Sequence, residues 1–245
     1  MQSPRLTRFL LVITLLFVAL LGAAAQAAKE KENELRQREN VLIADYHNAV
    51  RGKDWAHAIS IAKQLIDMDA SWQNLQALAD AQSPSGAYED AVATYDLALR
   101  MAKTELLSED DLITKRNAMV SRMYMDKGNA LLKLHRDKEA VASYNEATAY
   151  TTHQALAYFN ICAVLYNNGD MTGSAEACRK SLEDDPSRAT AYFILGSALF
   201  ADSKPDKNGK LIIPTEAISA MKKYLELAPN GPHATEVKQM LDMAK

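Results

Sequence analysis

Apolar and polar positions repeat along the chain in a unit centred on small residues. The clearest copy is GAYEDAVATYDLALRM at 86–101. Degenerate copies are GKDWAHAISIAKQLIDM (52–68), HRDKEAVASYNEATAY (135–150), GDMTGSAEACRKSLEDDP (169–186) and PTEAISAMKKYLELAP (214–229). The apolar residues of each copy recur at helical spacing, so each copy predicts an amphipathic helix. A helical unit repeated in this way predicts a stacked solenoid.

A second apolar pattern precedes three of these copies. It runs through YMDKGNALLKL (124–134), YFNICAVLY (158–166) and YFILGSALF (192–200). Large and small apolar residues at i, i+3, i+4 and i+7 lie on one helix face. The small residue in this pattern lets two antiparallel helices approach closely, and the large residues fill the layer to the next pair. The repeated unit is therefore a pair of helices.

The repeat is regular only in part. The small anchor residues of the second helices are 33, 49, 34 and 43 residues apart; they are Ala58, Ala91, Ala140, Ser174 and Ala217. Ser108 followed by three acids predicts an N-cap and a long helix that begins near Glu109, which accounts for the first excess. The polar, Pro- and Gly-containing stretch 201–214 predicts an inserted loop, which accounts for the second.

The pattern of large, small and proline positions resembles the tetratricopeptide repeat family over roughly residues 39–230. The resemblance implies an all-α fold, a right-handed superhelical solenoid of antiparallel helix pairs. About five repeats are expected, with a capping helix at 233–245 that covers the last apolar face. The expected repeats are 39–71, 72–105, 121–154, 155–188 and 189–230. Tyr46 stands where a small residue is usual, so the register of the first repeat stays open.

Residues 1–27 carry the pattern of a signal peptide. Arg5 and Arg8 precede an apolar run from Phe9 to Leu21, and small residues follow. This pattern predicts an exported bacterial protein, periplasmic or secreted, with cleavage after residue 27; an uncleaved membrane anchor is the alternative. No Cys follows the apolar run, so a lipid anchor is not expected. Residues 28–38 form a charged extension, either a frayed continuation of the first helix or a disordered segment.

Charge and motif content exclude several classes of function. Without the predicted signal, 26 basic and 31 acidic residues remain, a net charge of −5, which argues against a nucleic-acid surface. The five histidines lack metal-ligand spacing, and no nucleophile or phosphate-binding motif is present. We therefore expect no enzyme activity, no metal and no cofactor.

The resemblance implies a concave groove lined by the first helix of each repeat. Carried onto this chain, it assigns an aromatic stripe to the groove: Phe159, Tyr166, Phe193 and Phe200, with the small residues Ala163 and Ser197 between them. Exposed rings of this kind mark contact surfaces. The alternatives are that the rings are buried in the core or that Leu211, Ile212 and Ile213 of the inserted loop cover them.

The equivalent groove positions of the earlier repeats are polar, among them His47 and Asp80. Arg122 and Lys133 are candidates to hold a peptide carboxylate, and Asn129, with Asn160 nearby, to bind an extended backbone. The alternative is a solvated charged face. A carboxylate clamp of the chaperone-adaptor kind is not favoured, because Met125 stands where that clamp has a lysine.

Cys162 and Cys178 lie in the first and second helix of one predicted pair. Each is eight residues from the turn near Asp170, so the two side chains are expected at similar height in the hairpin. In an exported protein they form either a disulfide or two buried thiols that fill small-residue positions.

These patterns together predict a non-catalytic scaffold or adaptor in the cell envelope that binds a protein or peptide along its groove. No membrane span is expected after signal cleavage. The alternative function is a structural component of an envelope or secretion complex that self-associates through the ends of the solenoid, so the oligomeric state stays open. Neither the partner nor the pathway follows from these patterns, since this fold serves many tasks.

Overall fold

The all-α fold expected from the repeat is confirmed by a computed structural model of the chain. The structure describes residues 4–105, 109–207 and 211–243, with side chains from residue 25 onward. The helices in these residues are α1 (Pro4–Arg51), α2 (Trp55–Met68), α3 (Trp72–Ser85), α4 (Tyr88–Thr104), α5 (Asp110–Lys133), α6 (Asp137–Thr148), α7 (Ala155–Asn167), α8 (Met171–Asp184), α9 (Ala189–Phe200), α10 (Thr215–Leu227) and α11 (Ala234–Asp242). Two short strands, β1 (Lys204–Pro205) and β2 (Leu211–Ile212), lie between α9 and α10.

Residues 1–70 form one compact unit, in which α1 packs against α2. The Asp54 side chain caps α2 by accepting a hydrogen bond from the backbone N–H of His57 at 3.1 Å. Tyr46 is buried, so this hairpin accepts a large side chain where the repeat pattern has a small one. Residues 28–38 continue α1 with almost wholly exposed side chains, which matches the expected helical extension.

The predicted signal peptide is largely outside the part of the structure that describes side chains. Residues 1–3 are not described, and residues 4–24 are described only as part of α1. Among the residues with described side chains, no helix is both long enough and apolar enough to cross a membrane. The signal peptide and its cleavage therefore stay predictions.

Residues 71–245 form a second compact unit, a stack of helical hairpins. The hairpins are α3 with α4, α5 with α6, α7 with α8 and α9 with α10, and each packs against the next in the chain. The core lies between the layers, where small residues alternate with rings such as Tyr95, Tyr144 and Tyr224. The helix bounds are observed, whereas the repeat boundaries given above stay predictions.

Small residues bring the paired helices close together, as the pattern predicts. A Cβ added to Gly128 of α5 would lie 2.5 Å from Cε1 of Tyr144 in α6. A Cβ added to Gly196 of α9 would lie 2.9 Å from Cγ of Met221 in α10. Both approaches are shorter than ordinary van der Waals contact, so a larger residue would need its neighbour to move.

The two irregularities of the repeat have distinct structural causes. Helix α5 begins at Asp110 and is 24 residues long, which agrees with the expected long helix; its predicted cap, Ser108, lies outside the described residues. The inserted segment 201–214 contains an antiparallel pairing of β1 with β2, with Lys204 opposite Ile212, so its described part is a short hairpin rather than a plain loop. Helix α11 lies within the segment 233–245 that is expected to cover the last hairpin, and it buries Val237; its capping role stays a prediction.

Candidate functional site

Two adjoining cavities cross the first helices of the hairpins in residues 71–245. The smaller, of about 180 Å³, is called the acidic pocket and is lined by Asp80, Ser83, Pro84, Tyr95, Arg122, Asp126 and Asn129. The larger, of about 510 Å³, is called the central groove and is lined by Ala118, Ser121, Arg122, Met125, Asp126, Asn129, Thr151, His153, Leu156, Ala157 and Asn160. Because Arg122, Asp126 and Asn129 line both cavities, one extended ligand can occupy both.

The acidic pocket holds two carboxylates and one guanidinium. Tyr95 Oη donates a hydrogen bond to Asp80 Oδ1 at 2.6 Å. Arg122 Nη2 lies 3.8 Å from Asp80 Oδ2, and Arg122 Nε donates to Asp126 Oδ2 at 3.4 Å. Both Arg122 distances exceed the ~2.7–2.9 Å of a tight charge-assisted hydrogen bond, so the arginine lies loosely between the two acids.

Burial governs the protonation of these groups. It raises the pKa of Asp80, although hydrogen bonds from Tyr95 and Gln76 and the charge of Arg122 oppose the shift. Burial also raises the pKa of Asp126, and the neighbouring charge of Asp80 adds to that rise. The Arg122 pKa is raised, chiefly by Asp80. A nearby cation therefore stabilises the ionised form of both carboxylates in this pocket.

Two tyrosines connect the second helices to the groove in the same way. Tyr95 of α4 bonds Asp80 of α3, and Tyr144 of α6 donates from Oη to Asn129 Oδ1 of α5 at 2.8 Å. Each donor lies 15 residues after its acceptor. Both tyrosines are almost fully buried, and burial raises the pKa of each phenol, so both remain hydrogen-bond donors. These bonds fix the orientation of two groove side chains.

The central groove has an apolar floor beside this polar end. Met125 and Ala157 line it, and Leu156 of α7 lies at its edge with 51% of its surface exposed. The adjoining loop is held by Gln154, whose backbone N–H donates to Asp184 Oδ2 at 2.9 Å and whose Nε2 donates to the Thr148 carbonyl at 2.9 Å. The edge that carries Thr151 and His153 is therefore fixed by hydrogen bonds.

A third cavity continues the surface past this loop. It has a volume of about 510 Å³ and is lined by neutral and hydroxyl-bearing residues, namely Thr114, Asn117, Ala118, Ala149, Tyr150, Thr151, Thr152 and His153. It shares Ala118, Thr151 and His153 with the central groove. The polarity therefore changes along the surface from acidic, through apolar, to neutral polar.

The expected aromatic stripe is not an open apolar patch. Phe193 and Ser197 are buried, and the Phe193 ring stacks on His233 with centroids 3.7 Å apart. Phe159 is half-buried, with the Arg188 guanidinium 4.9 Å from its ring centroid, and Tyr166 and Phe200 are half-buried against the core. Helix α9 is apolar on nearly all sides, and most of its residues are buried. Exposure of Phe193 and Ser197 was therefore the wrong expectation.

The cover over Phe193 comes from the C-terminal segment. His233, at the N-terminal end of α11, provides the stacked ring, and its backbone N–H donates to Tyr224 Oη at 3.0 Å. Of the inserted segment, Ile213 is buried, Leu211 is half-buried and Ile212 is exposed.

The predicted polar site residues divide into two sets. Arg122, Asn129 and Asn160 line the cavities, as the groove assignment requires. Lys133 is exposed at the end of α5 and lines none of the three cavities formed by the described residues. Arg122 contacts two carboxylates, so it does not present the unopposed positive charge that a bound carboxylate needs.

Cys162 and Cys178 form a disulfide within the α7–α8 hairpin, with Cα atoms 5.1 Å apart. Both residues are fully buried. Cys178 occupies the α8 position that corresponds to Tyr95 in α4 and Tyr144 in α6, four residues after the small anchor. The α7–α8 hairpin is thus linked by a disulfide at the position where the two preceding hairpins are linked by a tyrosine hydrogen bond.

The sequence interpretation missed Asp126 and Tyr95 as site residues. One signal for Asp126 is present, because an acid four residues after Arg122 faces it on a helix. The signal for Tyr95 is the 15-residue spacing shared with Tyr144 and Asn129. Within the described residues, no group of histidines, cysteines and acids could hold a metal ion.

Residues 125–188 and 164–212 match the family model of the tetratricopeptide repeat. The match supports that family for this part of the chain. It includes all of α7, which forms one side of the central groove, and part of α5. No curated protein sequence matches the chain closely enough to count as a relative.

Several solved structures have a similar fold. One is YrrB, described as a TPR protein with an unusual peptide-binding site, with a TM-score of 0.58, 16% identity, and coverage of 81% of this chain and 90% of that chain. Another is MamA from Desulfovibrio magneticus RS-1, with a TM-score of 0.60, 18% identity, and coverage of 79% and 97%. A further MamA structure has a TM-score of 0.60, 20% identity, and coverage of 78% and 92%. At these identities the likeness concerns the fold alone.

Proposed function

We propose that the chain is a non-catalytic scaffold that binds a segment of a partner protein across the acidic pocket and the central groove. The observation that carries the proposal is the continuity of the two cavities through Arg122, Asp126 and Asn129. Their lining is also prearranged, since buried tyrosines hold Asp80 and Asn129 in place. A preformed surface binds at a lower entropic cost than one that must be ordered.

An extended segment is the occupant that suits this surface best. Residues of three first helices line the two cavities, which combine an apolar floor with polar side chains that fix orientation. Asn129 and Asn160 offer amide groups to a peptide backbone. The peptide-binding site named for the similarly folded YrrB makes a peptide the first occupant to test.

We also propose that the scaffold works outside the cytoplasm, in the cell envelope. Two independent features support this location. The signal-peptide pattern of residues 1–27 directs export, and the Cys162–Cys178 disulfide needs an oxidising compartment to persist. Fractionation of the producing cell, with amino-terminal sequencing, tests the location; a cytoplasmic chain that retains residues 1–27 would contradict it.

A site-specific crosslink tests binding in the groove. The photoreactive residue p-benzoylphenylalanine would replace Leu156 at the groove edge. The matched control would replace Leu97 of α4, which is also an exposed leucine, at 41%, but lines none of the described cavities. In cells that produce the chain, we expect a protein crosslink from position 156 and not from position 97. Equal crosslinking from both positions would contradict the proposal.

Self-association through the end of the helical stack is the alternative function. Leu227 of α10 and Met243, next to α11, are exposed near that end, which favours contact with another surface. Sedimentation of the purified chain over a range of concentrations separates the two functions. The scaffold proposal predicts a constant mass, whereas the alternative predicts a mass that grows with concentration.

A further inference from the structure

The acidic pocket contains more negative than positive charge beside an open groove. Asp80 and Asp126 supply two carboxylates, and Arg122 supplies one guanidinium. The two acids are mostly buried, whereas the Arg122 side chain is 62% exposed and lies 3.4–3.8 Å from them. Because the carboxylates are partly shielded from water, a second cation that enters the pocket interacts with them more strongly than it would on an open surface.

The apolar floor lies directly next to these carboxylates. Asp126 and Met125 are consecutive residues of α5, and Leu156 of α7 lies on the other side of the same groove. Leu156 keeps half of its surface exposed, so an apolar side chain placed against it would remove that surface from water. Neighbouring side chains of one bound segment can therefore contact the carboxylates and the apolar floor at the same time.

We propose that the partner segment carries a lysine or arginine that enters the acidic pocket, with an apolar side chain beside it that packs on Met125 and Leu156. This inference rests on the proposed function and names the chemistry of its ligand. It differs from the expectation that Arg122 and Lys133 hold a peptide carboxylate. A carboxylate in this pocket would face two acids, and Lys133 lies away from it.

Replacing Arg122 changes the binding affinity in opposite directions for a basic and for an acidic partner segment. If the partner is basic, Arg122 competes with it for Asp80 and Asp126, and Arg122→Gln strengthens binding. If the partner is acidic, Arg122 is its anchor, and the same substitution weakens binding. One unit charge at about 4 Å in a solvated site changes affinity about fivefold, which sets the expected size of the effect.

The probe for the experiment is a phage-displayed library of random heptapeptides, selected on the full-length chain. We expect enriched sequences in which Lys or Arg stands next to, or one residue from, an apolar residue. The best synthetic peptide is then titrated against purified variants at about pH 8, far above the usual Asp pKa of 3.8, because the pKa of both acids is raised. Circular dichroism and thermal unfolding establish that each variant is folded.

The variants give distinct results. Asp80→Asn with Asp126→Asn keeps an acceptor for Tyr95, and we expect it to weaken the peptide about tenfold or more. Arg122→Gln is expected to strengthen binding about fivefold. Lys138→Gln, which removes an exposed charge of α6 that lines none of the described cavities, serves as the control and leaves the affinity unchanged.

Two other results would overturn the inference in different ways. Enrichment of acidic peptides that depend on Leu156 and bind less well to Arg122→Gln would overturn the basic-segment proposal and leave binding in the groove intact. Failure to enrich any sequence, or enrichment of peptides that bind the folded Leu156→Ala and Asp80→Asn/Asp126→Asn variants unchanged, would overturn both this inference and the proposed function.

Discussion

Replacing Gly128 by alanine tests the close packing that positions the groove. The new Cβ would lie 2.5, 2.8 and 2.9 Å from Cε1, Cδ1 and Cζ of the Tyr144 ring. Tyr144 is fully buried, so its ring has no free space to enter. Its hydroxyl bonds Asn129, which follows Gly128 in α5, so a displaced ring would also disturb a groove residue.

The expected size follows from two opposing contributions. Overpacking of a core position costs about 1–3 kcal/mol, and loss of the Tyr144–Asn129 hydrogen bond costs about 1 kcal/mol more. The higher helix propensity of alanine relative to glycine stabilises the folded chain by about 1 kcal/mol. We therefore expect Gly128→Ala to lower the free energy of unfolding by about 1–3 kcal/mol, which is about 2–12 °C in melting temperature for a chain of this size.

Gly196→Ala is the matched control. A Cβ at Gly196 would make one approach under 3.0 Å, to Cγ of Met221 at 2.9 Å, with the Ala217 carbonyl oxygen and the Met221 backbone nitrogen at 3.4 Å. Gly128→Ala would make three such approaches to a rigid ring, whereas the unbranched methionine side chain yields more easily. The gain in helix propensity then offsets most of the cost, so we expect a stability within about 1 kcal/mol of the original chain. The assay is urea and thermal unfolding followed by circular dichroism, with hydrogen exchange in α5 and α6. Equal stability of the two variants, or a greater loss in Gly196→Ala, would refute the reasoning.

Three further predictions concern the disulfide, the acidic pocket and the C-terminal cover. Replacing Cys162 and Cys178 together by alanine should lower the free energy of unfolding in urea by about 3 kcal/mol, because their link closes a loop with a sequence separation of 16; no change would contradict a structural disulfide. Burial raises the pKa of Asp126 in the folded chain, so the free energy of unfolding falls as pH rises above the usual Asp value of 3.8. The melting temperature of Asp126→Asn minus that of the original chain should therefore increase as the pH rises from about 4, and a constant difference would contradict the raised pKa. Phe193→Ala should cost about 3–5 kcal/mol of stability in urea, because the ring is buried against His233. A stable variant that loses the crosslink at position 156 would instead support the groove role expected from the sequence.

The repeat pattern predicts the helices well because each helix depends on local periodicity. Small residues such as Gly128 and Gly196 recur at the helix contacts, and the acids after Ser108 indicate where α5 begins. Polar groove positions such as Asp80 and Arg122 also follow from the helical register. These features need only the spacing within one or two neighbouring helices.

The remaining features depend on contacts between elements that the spacing does not specify. The burial of Phe193 depends on where His233 lies after the α10–α11 turn, and no periodicity encodes that contact. The acidic character of the pocket depends on Asp80 of α3 and Asp126 of α5, which come together only when the hairpins pack, and Tyr95 of α4 orients Asp80 there. The contacts of Arg122 with Asp80 and Asp126 belong to the same class, because those partners are visible only in three dimensions.

A crystal structure of the chain with its best selected heptapeptide tests the central claim most directly. The account predicts that the peptide lies across the acidic pocket and the central groove. Its lysine or arginine nitrogen should lie within about 4 Å of the Asp80 and Asp126 carboxylates, with an apolar side chain against Met125 and Leu156. A peptide bound elsewhere on the chain, or one whose carboxylate pairs with Arg122 in this pocket, would contradict it.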